Sequence, residues 1–144
     1  MAEFGRQWSV VYDDAGGFER FFRSLDEHHQ AVLTAAVEHV LVPFGIDICQ
    51  SEWGKNLGGG LYEFRIRRSL DTILNQYGTG AESLRGSAAR SKVLLRVFCT
   101  FRGNRIVLLL GGYDKGRDPS AKRQSREIKR ARQALEVWRR QQNR

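Results

Sequence analysis

The side chains that could move protons or hold charge lie mostly beyond residue 60. Tyr113, Asp114 and Lys115 form a compact run of three proton-transfer groups. Arg65 and Arg67 fall on one face of an alternating segment, Arg96 interrupts an apolar one, and Lys55, Lys115 and Arg117 lie beside them. Guanidinium groups grip phosphate bidentately and stabilise a charged transition state. The chemistry such a set suits is phosphate binding, and it could serve RNA cleavage by attack of a ribose 2′-OH on its own adjacent phosphate. A site for that reaction must align the two groups, help remove the hydroxyl proton, stabilise the added charge and protonate the leaving oxygen. A Lys or Tyr with a shifted pKa could carry the protons. Tyr113 could also stack on a base, as could Tyr62, although Tyr62 reads better as core. For each single arginine the competing reading is a solvated or salt-bridged surface residue, with Glu63 and Asp114 as partners.

Metal ligation and cofactor binding are not expected. His28, His29 and His39 all sit in the N-terminal, helical part, with no ligand spacing to carboxylates or thiols. His28-His29 reads as an exposed helix start. A two-histidine acid–base mechanism would need histidines in the C-terminal part, which has none. Gly58 to Gly60 and Gly78-Thr79-Gly80 lack the strand–loop–helix setting of a phosphate or dinucleotide loop and read as turn and linker. Cys49 and Cys99 match no zinc or redox spacing and read as reduced core thiols, with a disulfide between them left open. That usage suits a cytoplasmic protein. No secretory signal pattern opens the chain, and no membrane-spanning stretch of roughly 18–20 apolar residues is expected.

The charge is divided unevenly. Residues 1–60 carry a net −5 and residues 61–144 a net +13, which together give the +8 of the whole chain. Thirteen net positive charges in the C-terminal part are costly in self-repulsion unless they face a polyanion.

The elements that must position these groups follow from periodicity. Gln7 to Tyr12 is β-branched and aromatic, a short strand. Phe18, Phe21, Phe22 and Leu25 make one helical stripe. Leu33, Ala36, Val37, Val40 and Leu41 make a second, in a helix from Asp26 or Glu27 to Val42, ended by Pro43 and Gly45. Residues 45–60 read as irregular. Leu61 to Arg68 alternates, Tyr62, Phe64 and Ile66 one way and Glu63, Arg65 and Arg67 the other, which is a half-buried strand. Residues 69–91 read as a long flexible insertion within a single domain, with room for a short helical turn. Val93–Arg102 and Arg105–Leu110 form a hairpin across Gly103-Asn104, and Gly111 to Pro119 a loop. Ser120 caps a last helix to about Gln142 with a narrow stripe of Ile128, Ala131, Leu135 and Trp138. The fold expected is α+β: a mostly antiparallel four-stranded sheet with an N-terminal helical hairpin and a C-terminal helix, in the order β-α-α-β-β-β-α.

The segments KNLGGGLYEFRIR (Lys55 to Arg67), RVF (Arg96 to Phe98) and IVLLLGGYDKG (Ile106 to Gly116), with Pro119 beyond, resemble the RelE/HigB superfamily of toxin–antitoxin toxins, closest to its phage-derived, HigB-like branch. The resemblance runs from about Trp8 to Trp138. It implies a RelE-like fold in a cytoplasmic toxin that cleaves mRNA on the ribosome without a metal ion. It implies a cognate antitoxin, often a helix-turn-helix repressor, as partner. It points to Lys55, Arg65, Arg67, Arg96 and Lys115 as phosphate handlers and places Tyr113 and Asp114 in the C-terminal active-site loop. The catalytic candidates are thus Arg65, Arg96, Tyr113, Asp114 and Lys115. Lys55, Arg67, Arg117 and the cations Lys122, Arg123 and Arg126 would bind messenger and ribosomal RNA. Two other readings stay open: a non-catalytic nucleic-acid-binding protein, and a ParE-like topoisomerase poison on the same fold.

Overall fold

The computed structural model describes residues 7–13, 17–77 and 90–142. The chain is α+β, and its sheet has five strands rather than four, in the order β1-β5-β4-β3-β2. Strands β1 (Ser9–Tyr12), β2 (Gly54–Gly58), β3 (Leu61–Ser69), β4 (Lys92–Arg102) and β5 (Ile106–Asp114) are joined by helices α1 (Phe18–Ser24), α2 (Glu27–Ala36), α3 (Val42–Phe44), α4 (Leu70–Tyr77) and α5 (Ala121–Gln142). All neighbouring strands pair antiparallel except β1, which runs parallel to β5.

The extra strand, β2, lies in the stretch expected to be irregular. Its sequence Gly-Lys-Asn-Leu-Gly carries no strand propensity, so tertiary pairing with β3 forms it, with Lys55 opposite Glu63. Gly58, Gly59 and Gly60 turn that hairpin with φ of 88°, 65° and 84°, values that L side chains rarely adopt. Two arginines of α5 tie the turn down: Arg132 donates to the carbonyls of Leu57 and Gly58, and Arg139 to that of Gly59.

The helical turn allowed for within 69–91 is the helix α4. Ser69 ends β3, and Leu70, Ile73, Leu74 and Tyr77 line one face of α4, with Ile73 fully buried. The rest of the expected flexible insertion, residues 78–89, lies outside the described residues.

α2 does not stop at Val42. It continues through a π turn over Val37–Leu41 into α3 and then a 3-10 turn over Gly45–Gln50. Pro43 has no N–H for the His39 carbonyl, and its ring crowds that carbonyl. The ladder widens just ahead of it, Val42 N–H bonding back five residues to Val37. By length and composition this helical run, Glu27–Gln50, could cross a membrane, contrary to the expectation of no such stretch. Here Val32, Leu33, Ala36, Val40 and Leu41 are buried among the sheet residues Phe64, Ile66, Leu95, Val97, Val107 and Leu109.

The other sheet face carries a second, smaller core: Leu61, Phe98, Leu108, Leu110 and Tyr113 against Ala131 and Leu135 of α5. Ser120 caps α5 as expected, its Oγ accepting the Arg123 N–H at 3.1 Å. Cys49 and Cys99 are both free thiols, Cys99 fully buried.

Candidate functional site

The site is built on the α5 side of the sheet by strand register. Arg65 on β3 lies opposite Arg96 on β4, which lies opposite Tyr113 on β5. Side chains directly opposite in neighbouring strands share a face, so the three form a row across the sheet. Glu63 and Lys55, paired across β2 and β3, share that face. Arg67 extends it at the outer end of β3, opposite Leu94.

Tyr113 reaches this face only because β5 is bulged. Cys99 pairs with Leu109, yet the next residue back, Phe98, pairs with Gly111, leaving Leu110 extra. One added residue flips every later side chain to the other face. Val107 and Leu109 therefore point into the α2 core, whereas Tyr113, an even step onward, joins the α5 core. Gly111, at φ 149°, is the residue that takes the bulge.

β5 also runs on to Asp114, which corrects the expectation of a loop beginning at Gly111. Tyr113 and Asp114 are strand residues and face opposite sides. Tyr113 lies in the Arg65–Arg96 row, while Asp114 pairs with Leu95 of the α2 core. The Gly116 N–H donates to the Leu94 carbonyl (3.1 Å), which keeps the following segment in register and brings Lys115 beside Arg96. The proton-transfer run read from sequence is thus split, with Lys115 and Tyr113 on the cation side and Asp114 on the other.

The centre of the row is dry and charged. Glu63 is fully buried and Arg96 is 5% exposed. Glu63 Oε1 accepts from Arg65 Nε at 2.8 Å and lies 3.7 Å from Arg96 Nε. Glu63 Oε2, Arg96 Nε and the Tyr113 hydroxyl are buried with no hydrogen-bond partner among the described residues. A buried polar atom without a partner costs about 1–3 kcal/mol. Native cores avoid such atoms, and three of them fall in this one patch.

This environment shifts the titrating groups. Burial pulls the Arg96 guanidinium down from its ordinary range, Glu63 opposing and Arg65 assisting. Burial, and then Glu63, push the Tyr113 hydroxyl up, so it stays protonated as a donor. Burial, and then the charge of Arg96, pull the Lys115 ammonium down, so it gives up its proton more readily than a free lysine.

The remaining predicted cations divide. Lys55, Arg67, Arg117, Lys122 and Arg126 are exposed. Arg123 is engaged: its Nε donates to the buried Glu127 at 2.7 Å, and its guanidinium lies 5.4 Å from the centre of the Tyr113 ring. Two residues that sequence reasoning passed over as site members are now prominent. Glu63 is the buried counter-charge of the row, where only a possible surface partner had been read. His29 stands at the start of α2 as expected, but it is half-buried rather than exposed and lies 3.6 Å from Asp114. The contact joins residues 85 positions apart, which no local spacing signals. Among the described residues no cluster of three His, Cys, Asp or Glu has metal-site geometry.

Compared with known proteins, the chain matches no family model, no curated protein and no solved structure.

Proposed function

We propose that this chain is an endoribonuclease of the toxin–antitoxin type, cutting mRNA on the ribosome in the cytoplasm and restrained by a cognate antitoxin. The observation that carries the reading is the row Arg65–Arg96–Tyr113, with Lys115 beside it and three buried polar atoms that have no hydrogen-bond partner among the described residues. In the reaction we envisage, Arg65 and Arg96 bind the scissile phosphate and stabilise the charge that grows on it. Tyr113 donates to a phosphoryl oxygen. Lys115, with its affinity for protons lowered, protonates the departing 5′-oxygen. Arg67, Lys55, Lys122 and Arg126 hold flanking phosphates of messenger and ribosomal RNA. The resemblance to RelE/HigB toxins supports the same assignment.

A second reading, nucleic-acid binding without cleavage, is favoured by one observation: Glu63 offsets the charge of both central arginines, while α5 exposes a string of cations to solvent. Primer extension on RNA from cells induced to make the protein separates the two. Discrete, translation-dependent cuts support the nuclease. A wild-type protein that gives no cuts, with Arg96→Ala equally toxic, supports binding alone, and DNA damage without RNA cuts points to a topoisomerase poison.

A further inference from the structure

The row described above supplies groups to bind a phosphate and an acid for the leaving oxygen, but its one carboxylate, Glu63, is fully buried and paired with Arg65 and Arg96, out of reach as a base for an attacking hydroxyl. His29 answers that need from the other end of the chain. It lies in the first turn of α2, where Asp26 caps the helix. One carboxylate oxygen of Asp26 accepts both the His29 backbone N–H (2.8 Å) and, at 2.7 Å, the proton of its Nδ1. A proton held on Nδ1 leaves Nε2 as the basic nitrogen of the neutral ring. Nε2 lies 3.6 Å from Asp114 Oδ2, beyond hydrogen-bond length. This is the arrangement of an oriented histidine base: one ring nitrogen fixed by a carboxylate, the other free to act.

His29 and Asp114 line a cavity of about 250 Å³ together with Phe21, Tyr113, Arg117 and Arg123. Tyr113 belongs to both places, lining this cavity and lying opposite Arg96 in the sheet. The cavity opens at the edge of β5 because β1 pairs only with Ile106 to Leu109 and leaves the rest of that edge to α1 and α2. The groups facing the imidazole are Asp26 and His28 on α2, Asp114 and Tyr113 on β5, Arg117 just after it, and Arg123 on α5. His28 has its own partner, the Ser91 carbonyl at 2.9 Å. The nearby α1 residues Phe21 and Ser24 do not titrate.

We infer that His29 is the general base of this site, taking the 2′-OH proton of a ribonucleotide whose 3′-phosphate is held by Arg96 and Tyr113. Asp26 orients the ring and Asp114 steadies its charged form. The inference rests on the ribonuclease reading. The step balances. The 2′-oxygen passes its proton to Nε2 and bonds to phosphorus, and the bond from phosphorus to the 5′-oxygen breaks. That oxygen takes a proton from Lys115. The products are a 2′,3′-cyclic phosphate and a 5′-hydroxyl, and solvent then restores both side chains.

The test is single-turnover cleavage of a 5′-labelled mRNA on programmed ribosomes, followed from about pH 5 to 8, the range where histidine titrates. Wild type, His29→Gln and Asp114→Asn are compared at full length. His29→Gln should cut about 10²–10⁴-fold more slowly and lose the acid limb of the profile. Asp114→Asn should keep that limb but cut about 10-fold more slowly, since the charge that forms on the ring during reaction loses the carboxylate beside it. A His29→Gln protein with the wild-type rate and profile overturns the inference and leaves the ribonuclease reading intact. Absence of cleavage by wild type overturns both. If circular dichroism shows His29→Gln to be unfolded, Asp114→Asn decides, and a wild-type rate of cutting overturns the proposal.

Discussion

Replacing Glu63 by Gln should destabilise the fold severely even though the two side chains match in shape. Gln keeps an oxygen to accept the Arg65 Nε–H, so the change isolates the charge. Arg65 has a side chain 25% exposed and can turn its guanidinium toward water, whereas Arg96, at 6%, cannot. The cost is then that of one buried guanidinium left without its counter-charge. Breaking a buried pair in this way costs about 3–5 kcal/mol, and the relief available to Arg65 points to about 3. At about 2–4 °C per kcal/mol for chains near this length, Tm should fall by about 6–12 °C. Thermal unfolding by circular dichroism, with urea melts to convert midpoints to free energies, measures it. The double variant Glu63→Gln/Arg96→Met removes both charges and should recover part of the loss, giving a coupling of about 2 kcal/mol. A Glu63→Gln protein melting within about 2 °C of wild type, less than about 1 kcal/mol, would refute the claim that this carboxylate balances a buried cation.

Two further outcomes follow from the same geometry. If Lys115 protonates the leaving oxygen, cleavage should fall at alkaline pH as its ammonium deprotonates, below the ordinary lysine range because burial and Arg96 both lower it. Arg96→Gln removes the second cause, so the alkaline limb of whatever activity remains should move to higher pH, as a pH–rate profile would record. If Lys122 and Arg126 hold phosphates, the double Ala variant should bind RNA more weakly at all sequences, with the slope of log affinity against log salt reduced by about 1–2. An unchanged slope in a filter-binding titration would assign those cations to solvent alone.

The legible part of the fold was the part that its own local pattern dictates. The alternation of β3 placed Phe64 and Ile66 in one core and Arg65 and Arg67 on the other face. The stripe of α5 and its Ser120 cap were equally plain. Hidden features depended on partners distant in sequence. β2 exists because β3 pairs with it, not because Gly-Lys-Asn-Leu-Gly favours extension. The second half of β5 was read as loop because Gly111 and Gly112 mask it. Gly112 is there to admit neighbours: a Cβ would stand 2.6 Å from the Phe21 ring and 2.7 Å from the Arg96 carbonyl. The hairpin itself was expected, but its connection spans Gly103 to Arg105, with positive φ at Asn104 and Arg105. For α4 the signal was present in the spacing of Leu70, Ile73, Leu74 and Tyr77 and was submerged in the small and polar residues that follow. Of the candidate residues, Arg65, Arg96 and Tyr113 were named by type and are brought together by register, with Lys115 beside them, and Asp114 is separated from them by the same rule. His29 could be placed only by the fold.

The most direct measurement is the position and chemistry of the ends in RNA cut by the purified protein on programmed ribosomes, wild type against Arg65→Ala/Arg96→Ala. The row of arginines acting on a phosphate attacked by its own 2′-OH requires discrete cuts bearing 5′-hydroxyl ends, all lost in a double variant that still folds. Cuts that persist undiminished in that variant, or that bear 5′-phosphate ends, would contradict it.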